Sequence, residues 1–345
     1  MSNMIEILNT IRDNATQTYR DRIPEATQNN LEEIRYAMID DDNVMVANEF
    51  VSTLLNKVAK TMIINKAFEN PLKSLKKGKK PLGDTVEEIY TNFLKAEQYD
   101  ATGAKLLNRN LPDVKTLYHR TNRKDKYKVT VSRETLQKAF ASYSDLETFL
   151  NNIVSTLTNS AELDEFLLTK DLISSALKHN AMKTVEITDP ATGETSAKDF
   201  IKSVKKCSNF MQFPNANWNA YLTAQDTDTV PLITFSKKNE QVLILDASTD
   251  IDVNVDVLAS VFNMSVAEFN DTRKIVIDTF PSVDAGDVVG VLVDEAFFQI
   301  YDDVYTFKRF ENAEGLYDNY YLHVWQTMAY SILCNAVAFV VPTAG

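Results

Sequence analysis

Glycine is scarce in this chain, eight of 345 residues where about 7% is usual. The eight stand singly, so there is no Gly-x-Gly-x-x-Gly turn to bring backbone against a dinucleotide. A phosphate loop of the Walker type fails twice at Gly78-Lys79-Lys80: Lys73 stands where its first glycine belongs and Lys80 where its hydroxyl belongs. Cysteine is equally sparse. Cys207 and Cys334 are far apart, which excludes a Cys-x-x-Cys metal knuckle, supports no disulfide framework and suits a reducing cytoplasm. The three histidines, His119, His179 and His323, share no ligand spacing, and neither His-Glu-x-x-His nor Gly-x-Ser-x-Gly occurs. The run Asp250 to Asp256 imitates the start of a calcium loop, yet Val255 replaces its turn glycine and Val261 its bidentate glutamate. Nothing singles out a catalytic pair among the 48 Asp and Glu residues. Neither a catalytic residue nor a cofactor or metal is therefore expected. Long apolar runs are missing too: Tyr330 to Val341 is too short to span a bilayer, and Met1 to Glu6 lacks the basic start and apolar core of a signal peptide. A soluble protein that is not secreted by this route is expected.

What is present is a folding composition, 44% hydrophobic and 24% charged, long enough for two domains or one large domain with excursions. The formal net charge of −12 opposes general attraction to nucleic acid or anionic lipid. That charge is unevenly spread. Residues 71–133 carry 15 Lys/Arg against 7 Asp/Glu, a net of +8, which leaves −20 on the rest of the chain. Turn residues Gly78, Pro81, Gly83, Gly103 and Pro112 punctuate strand-like runs in this segment, at 85–90 and 127–131. It reads as one long basic hairpin. A polar two-stranded ribbon is marginal alone in water, so it should lie on something acidic. A second copy is the obvious partner, through residues 246–318 with 16 Asp/Glu against 4 Lys/Arg. The plainer alternative is a solvated surface loop, the usual fate of a charge run.

Pro24 breaks the helical pattern of the first residues, and a helix is expected near 43–59. Ser144 and Glu147 have capping-box spacing. Leu146, Leu150, Ile153, Leu157, Ala161, Leu168, Leu172 and Ala176 then recur at helical steps, so one helix is expected to run to His179. After a turn at 188–193 comes a mixed region, with a short helix at 256–262 and strands at 274–277, 288–293 and 298–301. The class is α+β. The aromatic cluster Tyr317, Tyr320, Tyr321, Trp325 and Tyr330 suits core or a subunit interface better than base stacking, because its surroundings are acidic.

Several stretches, in order along nearly the whole chain, resemble the major head (capsid) protein of small short-tailed bacteriophages of the phi-29 type. They are Arg22-Ile-Pro-Glu-Ala-Thr-Gln-Asn-Asn30, Asn70-Pro-Leu-Lys-Ser-Leu-Lys-Lys-Gly78, Pro81-Leu-Gly-Asp-Thr-Val-Glu-Glu-Ile-Tyr90, Glu97-Gln-Tyr-Asp100, Leu111-Pro-Asp-Val-Lys-Thr-Leu-Tyr-His119, Asn159-Ser-Ala-Glu162, Val255-Asp-Val-Leu258 with Phe262-Asn-Met264, Gly315-Leu-Tyr317, Asn319-Tyr-Tyr321, His323-Val-Trp-Gln326 and Asn335-Ala-Val-Ala-Phe-Val340. The resemblance implies the tailed-phage capsid (Johnson) fold. Residues 1–70 would be the N-terminal arm and first peripheral elements, 71–133 the extended intercapsomer loop, and 134–183 the peripheral domain with its spine helix. Residues 184–280 would be the axial domain, and 281–345 the strands completing the peripheral sheet, with no C-terminal immunoglobulin-like domain.

The resemblance also implies a structural protein rather than an enzyme. Pentamers and hexamers would build an icosahedral or prolate head in the host cytoplasm, enclosing double-stranded DNA without sequence-specific binding or any membrane. Portal and scaffolding proteins would be partners. Assembly contacts are expected from Lys73, Lys76, Lys77, Lys79, Lys80, Arg120, Arg123, Lys124, Lys126 and Lys128, with Tyr320, Tyr321 and Trp325. Reversing the charge of Lys76, Lys77, Lys79 and Lys80 should then impair assembly more than folding. Two alternatives remain at this point: an encapsulin-like shell of a cellular compartment, and an acidic cytosolic enzyme.

Overall fold

The computed structural model describes residues 5, 8–9, 12–13, 15–27, 29–30, 33–34, 37, 68–99, 101–102, 107, 109–132, 143–221, 231–253, 258, 262–266, 273–281 and 286–342. The helix expected at 43–59, and most of that at 256–262, lie outside them. The chain divides into two compact units, one of residues 1–70, 123–165 and 304–325, the other of residues 71–122, 166–303 and 326–345.

In the first unit, helix α1 (Gln17–Arg22) stops at Ile23, whose backbone is extended as the residue before a proline must be. Its core gathers Tyr19, Ile23, Ala26 and Ile34 with Val131, Val154, Leu157, Ala161, Tyr320, Leu322 and Val324. Three strands supply the sheet of this unit: β4 (Arg123–Ser132), β9 (Phe298–Asn312) and β10 (Tyr317–Tyr330), the last two joined through the turn at 313–316. Along β10 burial alternates: Tyr320, Leu322 and Val324 face the core, and Tyr321, His323 and Trp325 are half-buried on the other side.

The second unit is built on a five-stranded sheet of order β5-β11-β8-β6-β7. The strands are β5 (Lys183–Glu186), β6 (Gln241–Asp246), β7 (Lys274–Ile277), β8 (Asp287–Asp294) and β11 (Ala336–Val341). Runs such as Val242-Leu243-Ile244-Leu245 are buried throughout, as a sheet covered on both faces requires. Val242, Ile244, Val291, Val293, Ala336 and Ala338 join Phe166, Ile173 and Ala176 of helix α2 (Tyr143–Lys178). Leu243, Leu245, Leu292, Val337 and Phe339 join Phe200, Ile201, Val204, Cys207 and Met211 of helix α3 (Glu194–Met211). Gly290 lets α3 approach: a Cβ there would stand 3.0 Å from Leu245 Cδ2 and 3.3 Å from Phe200 Cζ.

The long helix forms where its period places it, beginning at Tyr143, one residue ahead of its expected cap. Strands at 274–277 and 287–294 likewise match their expected positions. Three features differ from the sequence reading. Helix α3 occupies part of the expected mixed region. The strand expected at 298–301 continues to Asn312. Residues 71–133 are not one hairpin: their ends, β1 (Lys76–Lys79) and β4, are the edge strands of a four-stranded sheet of order β1-β9-β10-β4, and only β2 (Val86–Thr91) and β3 (Val114–His119) form a ribbon. The units also cut across the contiguous boundaries drawn from sequence, since β8 and β11 share a sheet with β5, β6 and β7.

Candidate assembly surfaces

The β2–β3 ribbon is antiparallel, from Val86 opposite His119 to Thr91 opposite Val114. Its register gives it two faces of different character. The inner face carries Glu88, Tyr90, Lys115, Leu117 and His119 and rests on the rest of its unit. Tyr90 and Leu117 pack on Tyr221, Leu232 and Leu333. The Tyr90 hydroxyl donates to the Ile233 carbonyl at 2.8 Å, and the Asn92 amide donates to the Pro231 carbonyl at 2.8 Å while accepting from the Ile233 N–H at 3.2 Å. His119 Nε2 lies 3.4 Å from Glu88 Oε2. On the outer face Ile89 and Tyr118 are each 62% exposed, and Val114 and Phe93 are exposed beside them. Alternation in 86–91 and 114–119 was the available signal for these apolar residues, which the charge count passed over.

The basic residues separate into three groups. Lys76 pairs with Asp302 at 3.0 Å and Lys80 with Asp303 at 3.1 Å, while Lys77 donates to the Glu295 carbonyl. These contacts hold β1 parallel to β9, with Lys76 opposite Ile300 and Lys79 opposite Asp302. The counter-ions of Lys76 and Lys80 thus belong to the same chain, so these two lysines are engaged within the fold, which the basic segment alone did not show. Arg123 is buried too, donating to Asp125 at 2.6 Å and to the Tyr127 hydroxyl at 2.7 Å. That hydroxyl donates to Asp164 at 2.6 Å, and burial, reinforced by the Asp164 carboxylate, holds its pKa far above the ordinary phenol value. Lys73, Lys79 and Arg120 are exposed.

Lys124, Lys126 and Lys128 form the last group, exposed at alternate positions of β4. Lys124 lies over the Trp325 ring at 5.1 Å, and Lys126 and Lys128 over the Tyr321 ring at 5.8 and 6.0 Å, distances at which a cation is attracted to a ring face. Tyr321 and Trp325 are thus accessible from solvent, whereas Tyr320 is 1% exposed and takes its place in the core instead of at a surface. Its burial pushes its pKa up to about 12. The strand alternation that exposes the even positions of β4 encloses the even positions of β10.

Among the described residues no three His, Cys, Asp or Glu side chains are placed to hold a metal ion. Asp250 pairs with Lys274 at 2.6 Å. His179 Nδ1 lies 2.8 Å from the Ser175 carbonyl oxygen at the end of α2, and His323 stacks on Tyr321. A cavity of about 330 Å³ in the second unit is lined by Asp189, Asp246, Thr249, Asp252 and Asp287 among others. Asp246 serves there as the cap of helix α4 (Ala247–Asp252), accepting from the Thr249 N–H at 2.7 Å. No helix among the described residues is long and apolar enough to cross a membrane.

The family model described as Phi29-like phage major capsid protein matches residues 8–340. The major capsid protein of Bacillus phage PZA is 35% identical over 337 residues, covering 97% of this chain and 72% of that protein. That of Bacillus phage GA-1 is 37% identical over 296 residues, covering 85% and 60% respectively. The solved capsid structure of Staphylococcus phage Andhra aligns with a TM-score of 0.65 at 14% identity, over 81% of this chain and 86% of that one. At that identity the likeness speaks for the fold alone, and it is the α+β phage-capsid fold. The encapsulin-like alternative is not better supported. A match running from residue 8 to residue 340, together with relatives at this identity, makes the chain a member of the Phi29-like phage major capsid protein family, a structural protein of the virion capsid.

Proposed function

We propose that many copies of this chain assemble, as pentamers and hexamers, into a closed phage head that encloses double-stranded DNA without reading its sequence. The protein acts as building material and not as an enzyme, with portal and scaffolding proteins as assembly partners in the host cytoplasm. The β2–β3 ribbon within residues 71–133 serves as the extended loop that reaches a neighbour, and α2 as the spine helix. Many modest contacts between copies sum to a durable shell.

The observation that carries this reading is the outer face of the ribbon. Its inner face is satisfied by its own chain, yet Ile89, Phe93, Val114 and Tyr118 remain exposed on or beside the outer one, among Glu87, Thr91 and Thr116, and exposed apolar side chains gathered in this way mark an interaction site. The test is microscopy and sedimentation of the chain co-expressed with its neighbouring gene products. Shells are expected from the natural sequence. The double variant Ile89→Asp, Tyr118→Asp should keep its melting temperature within about 2 °C, because surface substitutions rarely exceed roughly 0.5 kcal/mol, yet remain as subunits. Shells at normal yield from that variant sink the loop's role.

A further inference from the structure

The three-strand surface β4–β10–β9 of the first unit gathers exposed lysines and aromatic rings. Lys124 lies by Trp325, Lys128 by Tyr321, and Thr130 donates to Asn319 at 2.7 Å. One series ascends while the other descends, so β4 and β10 run antiparallel, with Lys124, Lys126, Lys128, Thr130, Tyr321 and Trp325 on the solvent-facing side and Asn319 buried beneath Thr130. On β9, Arg309 turns to the core side, reaching Asp318 at 2.6 Å and the Tyr320 ring; its neighbours Lys308 and Phe310 are exposed on the solvent side. Nine positions make up this side: 124, 126, 128 and 130; 321, 323 and 325; 308 and 310. Four are lysine, one is histidine, and none is aspartate or glutamate. The acids of these strands lie behind it, Asp125 with Arg123 and Asp318 with Arg309. Lys124, Lys126, Lys128 and Lys308 have no carboxylate partner among the described residues, in contrast to Lys76, Lys80 and Lys115.

We infer that this lysine–aromatic side of the sheet is a docking surface for the carboxylate-bearing surface of a second copy of the chain. Four uncompensated cations concentrated on one side of a chain of net charge −12 call for an anionic partner. The Trp325 and Tyr321 rings hold the ammonium groups of Lys124, Lys126 and Lys128 over themselves, so these three lysines are pre-positioned and less side-chain freedom is lost on docking. Two observations favour a second copy over nucleic acid. The Tyr321 and Trp325 rings at its centre already carry those ammonium groups, leaving little of them to stack on a base. The body outside 71–133, at −20, supplies carboxylates and repels phosphate.

The inference rests on the shell reading, and the experiment separates the two. Shells are assembled from equal parts of ¹⁴N- and ¹⁵N-labelled chain, with and without packaged nucleic acid, and treated with a carbodiimide that joins amines to carboxylates only in direct contact. Mixed-isotope peptides linking Lys124, Lys126, Lys128 or Lys308 to Asp or Glu are expected. Acetylation of these lysines should fall about tenfold from free subunit to shell, as burial at an interface requires, regardless of nucleic acid content. Lysines as reactive in the shell as in the subunit overturn the inference while leaving the shell intact. So does protection seen only in filled shells, which assigns the surface to nucleic acid. Failure to form shells at all overturns the shell reading first.

Discussion

Lys80 reaches Asp303 at 3.1 Å with its own side chain 8% exposed and that of Asp303 fully enclosed, so neither charge can turn to water if the other is removed. Breaking such a pair from one side strands an ion in a poorly solvated place, at a cost of roughly 3 kcal/mol or more. Lys80→Ala should therefore lower stability by about 3 kcal/mol in urea unfolding of the subunit. Lys79→Ala, at an exposed neighbour, should change it by less than about 0.5 kcal/mol. Equal effects would refute the division of these lysines into fold and surface groups. Buried neutral groups add a dependence on alkali. Burial raises the Cys207 thiol to about 11 and the Tyr320 phenol to about 12, so the folded chain keeps protons that the unfolded chain releases from about pH 9 upward. Their contribution is whole below that pH and shrinks as pH climbs toward 11. Melting temperatures measured from pH 8 to pH 11 should decline over that interval, and a flat profile would contradict the burial of both groups.

The ribbon is the element whose attachment is most easily isolated. Asn92 bonds to both Pro231 and Ile233, so Asn92→Ala removes two part-buried hydrogen bonds that tie the ribbon down, costing on the order of 1–3 kcal/mol locally. Hydrogen exchange at 86–91 and 114–119 should accelerate by about tenfold or more, since 1.4 kcal/mol corresponds to one decade, while amides of β6 and β8 keep their protection. Uniform acceleration would show that the ribbon is not a separately opening element. Of this ribbon β3 was missed, the run at 127–131 belonging to β4, and only β2 was read from sequence, at 85–90, because its alternation is local. Helix α2 was legible for the same reason, though not its inner lining: Leu163 and Leu167 are 45% exposed while Glu165, Thr169 and Lys170 are buried. Lys170 pays for its burial by pairing with Asp278 at 2.7 Å. Helix α3 has its period in plain view at Ala197, Phe200, Ile201, Val204, Cys207 and Met211. Strand β1, in contrast, reads Lys-Lys-Gly-Lys and has no strand propensity; it exists because β9 offers a parallel edge and two aspartates more than 200 residues away. Which lysines are consumed by the fold was therefore not readable from the basic segment alone.

Segregated charge has opposite consequences inside one subunit and between copies. Within the chain, pairs such as Lys80–Asp303 and Arg309–Asp318 are short and largely enclosed, so mobile ions screen them weakly. Between copies, attraction between the exposed lysine side of the sheet and the −20 body crosses water, where the screening length falls from about 10 Å at 0.1 M to about 3 Å at 1 M salt. Subunit folding and shell assembly should accordingly part company as salt rises. The subunit's melting temperature should move by no more than about 3 °C between 0.1 and 1 M sodium chloride, less than roughly 1 kcal/mol for a chain of this size. The subunit concentration needed for assembly should rise about tenfold or more over the same range, the order by which steered association weakens. Assembly that strengthens with salt would mean that the apolar ribbon face dominates, because burying Ile89, Phe93, Val114 and Tyr118 is favoured by salts that raise the cost of exposing apolar surface.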